Sequence, residues 1–216
     1  MLCALTVRKL RPGSFEQFAQ AFRPSDDAMP SGWVRFHMLR GASDEDEAIT
    51  FGFFDGTLEE MRASFDDSYQ QRLEAIAPYV ESVGADGIYD VVVEEAPEGA
   101  SPTGARLCAL TVRNLRPGMF EQFVEAFRPS PAEEFPKGWV RFHLLRGVSD
   151  ENQVVTFGFF DSTVEDLKAS QAQDNYRKRL EAIAPFVESV GTDGFYDIVV
   201  EASPEGVRST LQGAQA

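Results

Sequence analysis

Scarcity marks this chain first: its 216 residues hold two Cys, two His and two Trp. Cys3 and Cys108 stand alone, with no CxxC pair and no Cys/His ligand spacing. Neither a zinc site nor a disulfide framework is expected, and no metal or other cofactor is assigned. Basic residues are also short. Twenty Lys and Arg against thirty-five Asp and Glu give a net charge of −15, which repels phosphate backbones and anionic lipid heads and sets nucleic-acid and membrane partners aside. The opening "MLCALTVRKL" is a brief apolar run whose charges follow it, the reverse of a signal sequence, and "LCALTVRNL" recurs at Leu107. With no signal, no span and unpaired thiols, a cytoplasmic location is expected. Phosphate-cradling glycine loops, nucleophile elbows and paired-carboxylate motifs are missing as well.

What is present comes twice. "GWVRFHMLRG" at Gly32–Gly41 returns as "GWVRFHLLRG" at Gly138–Gly147, and Leu2 to Gly99 aligns with Leu107 to Gly206 with two one-residue insertions. About two-thirds of the aligned positions are identical, which makes the chain a tandem duplication. Retention of any one residue in both copies therefore says little about its role. The Pro/Gly/Ser-rich "APEGASPTGAR" reads as a linker, giving repeats at 1–95 and 107–204, a connection at 96–106 and a loose tail at 205–216.

Within the first repeat, "LCALTVRKL", "WVRFHML", "AITFGFF" and "GIYDVVVE" are rich in branched and aromatic residues and read as strands. Between the first two, Ser14 and Gln17 have capping-box spacing, and Phe15, Phe18 and Phe22 share a helical face. After the third, Thr57 and Glu60 form another box and open one helical stretch through Met61, Phe65, Tyr69, Leu73 and Ile76, ended or kinked by Pro78. The order β-α-β-β-α-β is ferredoxin-like, with both helices on one face of a four-stranded antiparallel sheet. Apolar residues in both alternating sets of the strands require the other face to be covered too. The expected fold is therefore α+β: two such repeats with their sheets packed as an intramolecular pseudo-dimer, leaving open further self-association.

The element order, the doubled sheets and the stretch "TFGFFDGTLEEMRAS" resemble the dimeric α/β-barrel superfamily, particularly its antibiotic biosynthesis monooxygenase group. The resemblance spans both repeats. It implies a pocket between sheet and helices in each unit and, in some members, oxidation of aromatic polyketides or quinols by dioxygen without metal or flavin. At the position of that group's strand-end Trp stand Phe54 and Phe160, and at its helix His stand Met61 and Leu167.

Alternation along the second strand places Trp33, Arg35 and His37 on one face, and Trp139, Arg141 and His143 likewise. His titrates near neutral pH, so His37 and His143 are the candidate catalytic bases for deprotonating a phenol or anthrone. The arginines would hold the oxyanion and the indoles would stack on the ring. Tyr69 and Tyr176, on the inner stripe of the second helix, join them as candidate substrate contacts. Each has a bland alternative: a hydrogen-bonded core His, a solvated Arg, a packed Tyr. Arg8, Arg11, Arg23 and Arg40 read mostly as surface ion pairs with neighbours such as Asp44 and Glu45, Gly52 and Gly158 as bulges, and the cysteines as buried thiols. The leading functional reading is a cofactor-independent monooxygenase for an aromatic polyketide or quinol-like small molecule. The alternatives are a non-catalytic protein that binds a hydrophobic or aromatic small molecule and, third, a haem protein using His37 as axial ligand.

Overall fold

The computed structural model describes residues 1–23, 29–97, 105–128, 136 and 138–211. The central part of the linker, 98–104, and the last residues, 212–216, lie outside the described residues. In the first repeat the elements are β1 (Leu2–Leu10), α1 (Phe15–Phe22), β2 (Trp33–Gly41), β3 (Glu47–Phe54), α2 (Leu58–Ala63), α3 (Asp67–Ile76) and β4 (Val80–Glu95). The second repeat carries β5 (Leu107–Leu115), α4 (Phe120–Phe127), β6 (Trp139–Gly147), β7 (Gln153–Phe160), α5 (Val164–Gln171), α6 (Asp174–Ile183) and β8 (Val187–Ser203), followed by β9 (Gly206–Ser209). Two compact units result, one of Met1–Val91 with Tyr196–Ala216, the other of Val92–Phe195. The long last strands explain these bounds, because β4 and β8 each begin in one unit and end in the other.

In the first unit β1 lies between β3 and β4, pairing Thr6 with Thr50 on one side and Asp86 on the other, while β2 pairs with β3 and with the end of β8. Phe15, Phe18 and Phe22 of α1 and Ile76 of α3 pack with Met38 and Ala48, so both helices cover one face of the sheet. Burying one Phe of this kind contributes about 1.5–3 kcal/mol. The opposite face is buried as well: Cys3, Leu5, His37, Leu39, Phe51 and Phe53 expose 3% or less. The second unit repeats the plan. There β5 pairs with β7 and β7 with β6, and Phe120, Phe123 and Ile183 pack with Leu144 and Val154.

Three local expectations change. Ser14 sits at the N-cap of α1 but makes no side-chain cap bond, so the Ser14/Gln17 box does not form, whereas the Thr57/Glu60 box does. The single helix expected from Thr57 is two, because the Asp66 carboxylate accepts from the Ser68 and Tyr69 N–H groups and starts α3 afresh. Pro78 then falls in a 3₁₀ turn, Ala77–Tyr79, that leads into β4. The segment expected as a loose tail instead supplies β9, paired with β8 from Gly206 to Ser203 and from Ser209 to Val200, and Leu211 is buried beside it. None of the described helices is long and apolar enough to cross a membrane.

Candidate functional site

Each unit has a cavity between its helices and the helix-facing side of its sheet. In the second unit it encloses about 180 Å³. Trp139, Phe142, Phe160 and Phe195 form its apolar walls, while Arg113, Tyr176, Arg179 and Asp193 supply a polar side. The first unit's cavity encloses about 90 Å³ and is lined by Trp33, Phe36, Phe65, Tyr69 and Arg72, among others.

Strand alternation builds the polar side. Thr111 and Arg113 are two apart on β5 and point to the same face. Thr111 Oγ donates to Asp193 Oδ1 at 2.6 Å, and Arg113 Nη1 donates to Thr156 Oγ at 2.7 Å across the β5–β7 pair. The first unit has the same arrangement, with Thr6 on Asp86 at 2.6 Å and Arg8 on Thr50 at 2.7 Å. Arg8 and Arg113 are each only 5% exposed. Burial lowers both guanidinium pKa values, opposed by the nearby tyrosine and aspartate, yet an arginine stays charged in a protein. Each is steadied by an aromatic face, Arg8 over Phe22 at 5.1 Å and Arg113 over Phe127 at 5.8 Å. Burial raises the pKa of the Tyr69 and Tyr176 phenols, with Arg8 and Arg113 opposing it. Each phenol therefore stays neutral near pH 7 and keeps a proton to donate.

The expected grouping of Trp, Arg and His along the second strand breaks in two. A register shift between Trp33 and Arg35 in the β2–β3 pair puts one extra residue on β2, and the same shift recurs between Trp139 and Arg141. The indoles consequently face the helices and line the cavities, together with Tyr69 and Tyr176. His37 and His143 lie on the opposite face, stacked on Phe51 at 4.9 Å and on Phe157 at 4.8 Å. His37 Nε2 is 3.6 Å from Glu201, and His143 Nε2 is 3.5 Å from Glu94. Neither His lines either of the two cavities. Both imidazoles are buried, His37 at 3% and His143 at 0% exposure.

Burial pushes the His37 pKa below its usual value against the pull of Glu201. Burial raises Glu201, but its bonds from His37 and Arg208 win and hold it below the usual carboxylate range. The strand arginines also leave the cavity side: Arg35 lies over Phe53 at 5.1 Å, and Arg141 Nη1 binds Glu94 at 2.6 Å.

Alternation along β1 offered the missed signal. Ala4, Thr6 and Arg8 form a set whose charged member falls on a face that the Phe-rich helix must cover. Arg40 behaves as read, pairing with Glu45 at 2.7 Å on the surface, but Arg8 does not. The strand glycines make room for rings: a Cβ on Gly52 would lie 2.6 Å from the Trp33 ring, and one on Gly158 would lie 2.9 Å from the Phe160 ring. Cys3 and Cys108 are fully buried, and burial raises both thiol pKa values far above the usual range. Among the described residues, no group of three or more His, Cys, Asp or Glu is placed to hold a metal ion.

No protein-family model matches the chain, and no curated protein matches it in sequence. Solved structures do resemble it. An anthrone oxidase-like protein superposes with a TM-score of 0.75 at 15% identity, over 94% of this chain and 93% of the other. A candidate monooxygenase from Lactobacillus acidophilus NCFM gives 0.62 at 10% identity, over 96% and 98% of the two chains. Another, from Fusobacterium nucleatum, gives 0.65 at 7% identity, over 97% and 94%. The likeness covers nearly the whole chain and shows its fold, an α+β dimeric α/β barrel.

Proposed function

We propose that this chain, with its dimeric α/β-barrel fold, is a monooxygenase that oxidises a small phenolic or quinol-like aromatic with dioxygen, and that the reaction takes place in the second unit's cavity. The observation that carries this reading is the division of that cavity into aromatic walls and a polar side holding Asp193, Tyr176 and Arg113. An engineered cavity of about 150 Å³ holds benzene, so about 180 Å³ suits an aromatic of one or two rings, with any further part of the molecule reaching the mouth. The fold of an anthrone oxidase-like protein adds support.

In this reading the ring lies among Trp139, Phe160 and Tyr176, and its hydroxyl points to the polar side. Asp193 takes the phenolic proton, while Arg113 and the neutral Tyr176 phenol face the oxyanion. Deprotonation makes the ring electron-rich enough to pass an electron to dioxygen. For a phenol with a free para position, one oxygen atom enters that carbon. The other leaves as water with the para hydrogen and the phenolic hydrogen, giving a quinone. His37 and His143 are core groups in this account, not bases, and no step requires a bound cofactor.

Oxygen uptake with 1-naphthol and a panel of anthrones and hydroquinones tests the proposal. Wild-type protein should consume oxygen above the uncatalysed rate, and Asp193→Asn should lose about 10²-fold or more. Binding without uptake would favour the non-catalytic binding reading, which the mutual satisfaction of Thr111 with Asp193 and of Arg113 with Thr156 also accommodates. Neither binding nor uptake on the panel would reject both.

A further inference from the structure

We infer that only one of the two cavities, the second unit's, accepts an aromatic ligand, and that Phe65 is the residue that closes its counterpart. This inference rests on the proposed function and narrows it to one site per chain. Thr6, Thr50 and Tyr69 line the first cavity as Thr111, Thr156 and Tyr176 line the second, and the same bonds recur behind them, but Arg113 and Asp193 reach the second cavity while Arg8 and Asp86 do not line the first. The two volumes do not match. At about 90 Å³ the first falls below the roughly 150 Å³ that holds a benzene ring, and at about 180 Å³ the second lies above it.

Several lining positions differ, and the second repeat has one more residue between its serine and tyrosine, but one difference in side chain stands at the centre of the first cavity. Past the matched serines Ser64 and Ser170, the first repeat has Phe65 and the second has Gln171. The Phe65 ring centroid is 4.8 Å from that of Tyr69 and 5.9 Å from that of Trp33, so it takes the space between phenol and indole where a ligand ring would lie. Trp33 is held in place: its Nε1–H donates to Ser64 Oγ at 3.0 Å, and its ring lies over Gly52. In the second unit Phe160 covers the corresponding Gly158, and the Gln171 amide reaches the Tyr176 hydroxyl at 3.4 Å. The long, flexible amide satisfies the phenol and can move aside. A phenyl ring packed against Trp and Tyr can do neither.

Isothermal titration with 1-naphthol tests this, with circular dichroism confirming that each variant is folded. Wild-type protein should bind one molecule per chain, Phe65→Gln two, and Gln171→Phe should weaken binding at least tenfold. Two molecules per wild-type chain, one in Phe65→Gln, or undiminished binding by Gln171→Phe would overturn the inference while leaving the proposed function standing. Absence of binding by wild type and Phe65→Gln alike would overturn the proposed cavity itself, and this inference with it.

Discussion

The two units share their strands, their helices, a Thr–Asp bond and a buried Arg–Thr bond, yet the second cavity has about twice the volume of the first. Duplication kept what holds the sheet and helices together and let vary a position that only the cavity feels. A partly exposed ring such as Phe65 can be gained or lost without disturbing the core. Arg8 and Arg113 cannot, because a buried cation without its hydroxyl partner and aromatic support would be costly.

Ways to break the equivalence of the units begin with their cores, which should behave alike. Phe18 and Phe123 are both fully buried on the first helix of their repeats. Phe18→Ala and Phe123→Ala should each cost about 3–5 kcal/mol in urea unfolding, and a cost in one unit below half that in the other would contradict the shared packing. Chemistry should separate the units next. Where Asp193→Asn should lose about 10²-fold or more, Asp86→Asn should keep oxygen uptake within about twofold of wild type at equal folded concentration.

Glycine replacements sharpen the contrast further. Gly52→Ala drives a methyl to 2.6 Å from a Trp33 ring tied to Ser64, whereas Gly158→Ala meets a Phe160 ring at 2.9 Å. Both should destabilise by about 1–3 kcal/mol, Gly52→Ala the more, and the order of their melting temperatures checks this.

A smaller effect concerns pH. Burial keeps the folded His37 neutral below its usual pKa, so below about pH 6.5 the unfolded chain takes up a proton that the folded chain refuses. Stability must then fall as pH drops, and the depressed Glu201 acts in the same sense lower down, below about pH 4.5. Unfolding free energy should decline from pH 7.5 to 5.5 by no more than about 1.4 kcal/mol per pH unit for this group, and His37→Gln should flatten the decline. Smallest of all, Arg106→Ala removes an ion pair with Asp161 whose side chains are more than half exposed, and should shift stability by less than about 0.5 kcal/mol.

Sequence patterns made the fold legible because strand alternation and the Phe periodicity of α1 and α4 come from burial itself. The site was legible only in part. Tyr69 and Tyr176 followed from helical periodicity, and Trp33 and Trp139 from their place in the second strand. One extra residue in β2 and in β6 then turned the indoles away from the histidines, and no composition rule announces a bulge of that kind. Asp86 and Asp193 escaped notice for a different reason. Their placement comes from β4 and β8 pairing beside β1 and β5, which sets each carboxylate against a threonine about eighty residues away.

The most direct test of where the chemistry lies is a crystal of the protein soaked with 4-bromo-1-naphthol, read through the anomalous signal of bromine. The account predicts one strong peak per chain, within the second unit's cavity among Trp139, Phe160 and Tyr176. A peak beside His37 or His143 would contradict it and return those histidines to the chemistry.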